Sequence, residues 1–176
     1  MGGIGNIDAD PCFVDEANED YHLLAGSPCI DAGDPNYIAE PNETDLDGGP
    51  RVINGRIDMG AYEAPIPADV DIDPNTLNLN SKGKWITAFI WLSEEYNVTD
   101  IDPNSIFLEG RIKPERFWLT EDNKIAIAKF GREDVQAILE VGDIELTITG
   151  RLNDGILFEA SDVITVIDKS SRKKPK

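Results

Sequence analysis

The 176-residue sequence predicts an all-β chain in two parts: short stacked coils over residues 1–64 and a β-sandwich over residues 70–168. Three observations lead there. The first part is dense in Gly, Pro, Asp and Asn and holds only short apolar pieces. The second part alternates apolar and polar residues over strand-length runs. Helical spacing is read only over residues 132–139, where Val135, Ile138 and Leu139 share a face.

The apolar pieces of the first part are Cys12-Phe13-Val14, Tyr21-His22-Leu23-Leu24, Cys29-Ile30, Arg51-Val52-Ile53 and the run from Ile57 to Tyr62. Such short strands between long turns cannot fill a sandwich core. They suit a solenoid, in which each strand stacks on the rung before it and buries its apolar face there. Rungs of this kind do not fold alone, so upstream rungs of the same protein are the expected partner. Residues 65–69 contain two prolines and read as a stiff linker.

The second part has candidate strands at 76–80, 84–92, 105–109, 124–130, 143–152 and 162–167. The run 143–152 alternates well, with Ile144, Leu146 and Ile148 on one face and Glu145, Thr147 and Thr149 on the other. Asp71 to Leu77 echoes Asp100 to Ile106, each an Asp-Pro-Asn turn that opens a strand. The tail, residues 169–176, holds five bases and no apolar residue, and disorder is expected there.

The net charge is −18. A polyanion repels nucleic-acid phosphates and anionic lipid, which excludes both as primary partners and favours divalent cations. No apolar run approaches membrane-spanning length, so no membrane insertion is expected in this segment. Met1-Gly2-Gly3 leads into polar sequence without a signal peptide, so an export signal is expected on another part of the protein.

Several strings in the first part are distinctive. They are Asp10-Pro11-Cys12-Phe13-Val14-Asp15, Asp20-Tyr21-His22-Leu23, and Ser27-Pro28-Cys29-Ile30-Asp31-Ala32-Gly33-Asp34. They are followed by Asp45-Leu46-Asp47-Gly48-Gly49-Pro50-Arg51 and Ile57-Asp58-Met59-Gly60-Ala61-Tyr62-Glu63. In this order they resemble the C-terminal end of right-handed parallel β-helix proteins of the choice-of-anchor Q type, over about a third of the chain. The resemblance implies a large exported protein, secreted or held at a cell surface. Some such proteins carry pectate-lyase-like or other polysaccharide-active helices. Residues 70–168 look like an accessory, immunoglobulin-like β-sandwich placed after such a helix. No catalytic residue is carried over. In β-helix polysaccharide lyases the catalytic groups and calcium ligands sit on central rungs, which this sequence lacks.

The residues themselves offer little catalytic chemistry. The single histidine, His22, lies in a strand with no nucleophile pattern beside it, and reads as packed between rungs. One His and two Cys fall short of a zinc set. Carboxylates are too abundant for any pair to signal glycoside hydrolysis.

Calcium is the cation expected. Asp45-x-Asp47-Gly48 offers two carboxylates and a glycine turn, without the later Glu of an EF-hand. Asp69, Asp71 and Asp73 fall on one side of an extended segment, as a cation site or a solvated edge. Cys12 and Cys29 stand 17 positions apart, near one rung's length. They are candidates for a disulfide, the alternative being two free thiols.

The strand at 84–92 carries the one functional clue. Ile86, Ala88, Ile90 and Leu92 form one face; Trp85, Thr87, Phe89 and Trp91 form the other. One face is core. The other is either covered by a second layer or exposed as a sugar-stacking row, and Trp118 fits with either group. The expected function is therefore a non-catalytic structural or anchoring module. The alternative is a carbohydrate-binding module of a polysaccharide-degrading enzyme.

Overall fold

A computed structural model describes residues 7–24 and 26–169. The unstructured tail expected from residue 169 lies outside these residues except for Lys169. The chain is mostly β, with curled sheets. It divides into two compact units. The first runs up to Ile66 and includes Asp154–Leu157; the second runs from Pro67 to Asn153 and resumes at Phe158.

The first unit opens on a hairpin of β1 (Phe13–Asp15) and β2 (Asp20–Leu23). The two strands are antiparallel, with Phe13 opposite Leu23. The reason is local. Asp15 caps the helical turn Glu16–Asn18 by accepting from the Asn18 amide, and Glu19 adopts φ 64°, which turns the chain straight back. The parallel stacking expected of rungs is therefore not the pairing of these two strands. Beyond β2, the described residues up to Pro65 hold only isolated bridges, Thr44 with Pro50 and Ile53 with Arg56.

Loop amides find partners elsewhere in this unit. Gly33 donates to the Ile57 carbonyl and Met59 to the Cys29 carbonyl, each at 2.9 Å. Arg56 donates to the carbonyls of Gly33 and Ala32 at 2.9 and 3.0 Å. The strings 27–34 and 57–63 thus bind each other. Gly33 is required there because a β-carbon would come 2.7 Å from the Ile57 carbonyl oxygen.

The second unit is built on one curled eight-stranded sheet. Its strands are β3 (Ile66–Asp73), β4 (Thr76–Asn78), β5 (Trp85–Leu92), β6 (Phe107–Leu108), β7 (Arg116–Leu119), β8 (Ala126–Gly131), β9 (Gly142–Arg151) and β10 (Leu157–Ile167). The order is β6-β9-β10-β3-β5-β8-β7, and β4 pairs in parallel with β10. The helix α1 (Arg132–Gln136) follows β8 directly. It docks Val135 in the core and ties Gln136 to the Asn78 carbonyl at 3.0 Å.

Of the residues read as a linker, 65–69, those from Ile66 onward lie in a strand. Ile66, Ala68, Val70 and Ile72 alternate with Pro67, Asp69, Asp71 and Asp73, and β3 pairs with β5 from Ala68↔Leu92 to Asp73↔Thr87. Pro67 is accommodated at the second strand position, ahead of that ladder. The core is apolar and sealed. Ile72, Leu77, Ile86, Ala88, Ile90, Phe130, Ile148, Phe158 and Ile164 are all at 0 % exposure. Burial of this kind contributes roughly 25 cal/mol per Å² of apolar surface.

A candidate ligand-binding face

Register places the side chains. In an antiparallel pair, residues directly opposite project from the same face. Ile86, Ala88 and Ile90 of β5 oppose Phe130, Ala128 and Ala126 of β8, and all six are buried. The alternate residues form the outer face. One cross-strand row runs Asp71, Phe89, Ile127, Trp118, and the next runs Asp73, Thr87, Lys129, Arg116. Asp69 opposes Trp91, and Trp85 opposes Gly131.

The aromatic residues on this face reach solvent. Trp85, Phe89 and Trp91 are half-buried, and Trp118 is 39 % exposed. The Phe89 and Trp91 rings lie 6.5 Å apart, tilted by 34°. The strand is thus not covered on both sides. β7, which contributes Trp118 and Arg116, was not among the strands expected. It is four residues long and opens with a charge, so its alternation is weak in isolation.

Cations lie over the rings. The Lys84 Nζ is 4.5 Å and the Arg116 Cζ 5.2 Å from the Trp85 ring centre. The Lys129 Nζ is 5.3 Å from that of Trp118. A cation over an indole face is held by the ring quadrupole, by about 0.5–1 kcal/mol at exposed sites. At the other end of the row, a groove of about 390 Å³ is lined by Trp91, Tyr96, Asn97, Asn123, Lys124 and Glu94, among others. Its side-chain amides and charges offer hydrogen bonds beside an indole.

The other residues singled out from sequence do not converge. Asp69, Asp71 and Asp73 share the outer face of β3, exposed, as their spacing indicates. Asp45 and Asp47 are engaged separately. The buried Asp45 carboxylate accepts from the Gly49 amide at 2.8 Å and the Glu63 amide at 3.1 Å. Asp47 faces His22 Nε2 at 3.0 Å. Among the described residues no three His, Cys, Asp or Glu side chains gather as a metal set.

The disulfide expected between Cys12 and Cys29 is not formed; both thiols are free. Cys12 sits at φ 55° with its thiol directed to the Asp10 carbonyl, and Cys29 is buried. His22 is not packed away between rungs. It stacks on Tyr62 with ring centres 3.9 Å apart, and its Nδ1 meets Asp20 at 2.5 Å. Burial lowers its pKa, but the hydrogen bonds to Asp20 and Asp47 outweigh that and raise it above the ordinary value.

Sequence reasoning missed a buried acid network in the first unit. Asp58 accepts from the amides of Asp31 and Ala64, each at 2.7 Å. Glu63 accepts from the Asp58 amide at 3.1 Å and pairs with Arg51. Burial raises the Glu63 pKa to about 7 and pushes that of Asp58 up as well. The signal was present in the closing Asp58 to Glu63 string, but acids occur throughout this chain.

Comparison with protein-family models, curated proteins and solved structures finds no match to this chain. Among the described residues, no helix is long and apolar enough to cross a membrane.

Proposed function

We propose that this chain is a non-catalytic, polysaccharide-binding module of a secreted or cell-surface protein, and that sugar binds on the outer face of β5, β8 and β7. One observation carries this reading. Phe89, Trp91 and Trp118 offer aromatic surface to solvent on a sheet face whose reverse is closed apolar core. Pyranose rings have apolar C–H faces, and indoles bury them while hydroxyls stay available for hydrogen bonds. The groove at Trp91 supplies such partners in Asn97 and Asn123.

The location rests on the acidic composition and on the β-helix-like strings of the first unit. In this reading that unit closes a right-handed parallel β-helix, and the second is its immunoglobulin-like accessory sandwich. A purely structural role is favoured for the first unit, whose acids are spent on its own loop amides.

A glycan array of plant, algal and microbial polysaccharides tests the proposal. Binding is expected, and Trp91→Ala should weaken it at least tenfold, about 1.4 kcal/mol, with the melting temperature held. Silence across the array would discard sugar binding and leave the anchoring role.

A further inference from the structure

We infer that the polysaccharide taken by this face is anionic, with its carboxylate or sulfate groups seated on Lys84, Lys129 and Arg116. The inference rests on the sugar-binding reading above and names the ligand class of the same site.

The chain has 34 acids and 16 bases, so a cation here has many carboxylates available. Yet Lys84, Lys129 and Arg116 collect on one side of one face. Lys129 and Arg116 are direct cross-strand partners, and Lys84 and Arg116 share the ring of Trp85. Among the described residues, none of the three has a carboxylate within ion-pair distance. Their positive ends are carried on aromatic surface, which leaves their hydrogen-bond donors for a ligand. An uncharged sugar stacking on Trp85 would have to displace two cations. An anionic sugar uses them.

The charge across the face is ordered. On β3, Asp73 stands in the cross-strand row whose β8 and β7 members are Lys129 and Arg116, Asp71 in the row of Ile127 and Trp118, and Asp69 opposite Trp91. Glu115 and Asp134 flank Gly131 at the Trp85 end. A bound anion is thereby confined to the strip between Trp85 and Trp118, away from β3. The net charge of −18 opposes any polyanion at long range. Salt screens that repulsion beyond about 10 Å at 0.1 M, whereas pairs at contact are screened less. Affinity should therefore be weak at very low salt, rise toward about 0.1 M, and fall again near 1 M.

Affinity electrophoresis of the whole chain against matched polymers tests this. The pairs are carboxymethylcellulose with hydroxyethylcellulose, and dextran sulfate with dextran. Retardation by the charged member of either pair, at least tenfold stronger than by its neutral partner, is expected. The pair that responds identifies carboxylate or sulfate as the group recognised. The triple variant Lys84→Gln, Lys129→Gln, Arg116→Gln should abolish the difference, and Asp71→Asn should strengthen retardation by the charged polymer. Tryptophan fluorescence of each variant checks its fold. Should the triple variant not fold, Lys129→Gln alone should cut the difference at least threefold. Equal retardation by charged and neutral members, or a difference untouched by the cation variants, overturns the inference and leaves the sugar-binding reading standing. No retardation by any of the four, together with a silent array, defeats both.

Discussion

The two units solve the same problem by different means. Each must satisfy the backbone amides it takes out of water. In the second unit the sheet ladder does so, and the facing side chains Ile86, Ala88 and Ile90 of β5 and Ala126, Ala128 and Phe130 of β8 then pack with no exposed surface. The first unit has one short hairpin and long turns, so side-chain carboxylates stand in for a ladder. Asp45, Asp58 and Glu63 are buried and between them hold the amides of Asp31, Gly49, Asp58, Glu63 and Ala64. A sheet core is apolar and indifferent to pH. A carboxylate core is not, because each buried anion needs its donors and its counter-charge. The face proposed to bind sugar belongs to the unit with the ladder, where strand pairing fixes the register of its side chains.

All three tryptophans, Trp85, Trp91 and Trp118, lie in the second unit, so their fluorescence reports that unit alone. The largest effect is expected from Phe130→Ala, which empties a fully buried site on β8. It should cost about 3–5 kcal/mol, read as a lower urea midpoint in tryptophan fluorescence. A loss under 1 kcal/mol would contradict the sealed core.

Arg51→Met comes next. It removes the cation paired with buried Glu63, whose side chain is 1 % exposed, while that of Arg51 is 13 % exposed. The expected cost is about 2–3 kcal/mol, reduced from a fully buried pair by the partial exposure of Arg51. Hydrogen exchange at the amides of Asp58 and Glu63 should accelerate, with the tryptophan signal unmoved. Acceleration in both units alike would erase the contrast.

A smaller effect follows from pH. The folded pKa of Glu63 is raised to about 7 from 4.5. The folded state therefore holds a proton there that the unfolded state has lost, and stability declines as pH rises from about 4.5 to about 7. Asp58, also raised, acts in the same direction. His22 adds to it, since its raised pKa gives stability that is full below pH 6.5 and lost as pH passes its folded value. Exchange at unit-one amides should thus be slower at pH 5 than at pH 8, after correction for intrinsic rates. In Glu63→Gln the difference should shrink. A profile of opposite sign would refute the assignment.

The smallest effect is that of calcium. With Asp45 committed to two amides and Asp47 to His22, millimolar calcium should move the melting temperature by less than about 1 °C. A clear rise would show that calcium binds, and its survival in a variant lacking Asp69, Asp71 and Asp73 would place it at the rearranged Asp45–Asp47 loop.

Much of the second unit was legible because alternation is a local property. The expected runs 84–92, 124–130 and 143–152 correspond closely to β5, β8 and β9. β3 escaped because two prolines and three aspartates masked its alternating Ile66, Ala68, Val70 and Ile72. β7 escaped because four residues cannot establish a period. In the first unit, glycine and proline content marked the turns correctly. Their partners, such as Asp58 for the Asp31 amide 27 positions away, leave no trace in any short window.

What the sequence by itself determined is sidedness. Period-two patterning divides β5 into an aliphatic and an aromatic face wherever the strand is placed, since adjacent side chains must point oppositely. What only the tertiary structure decided is what each face meets. β8 closes the aliphatic side, and β7 brings Arg116 and Trp118 to the aromatic one. Those pairings join residues far apart along the chain, and their register is a property of the packed sheet rather than of any segment.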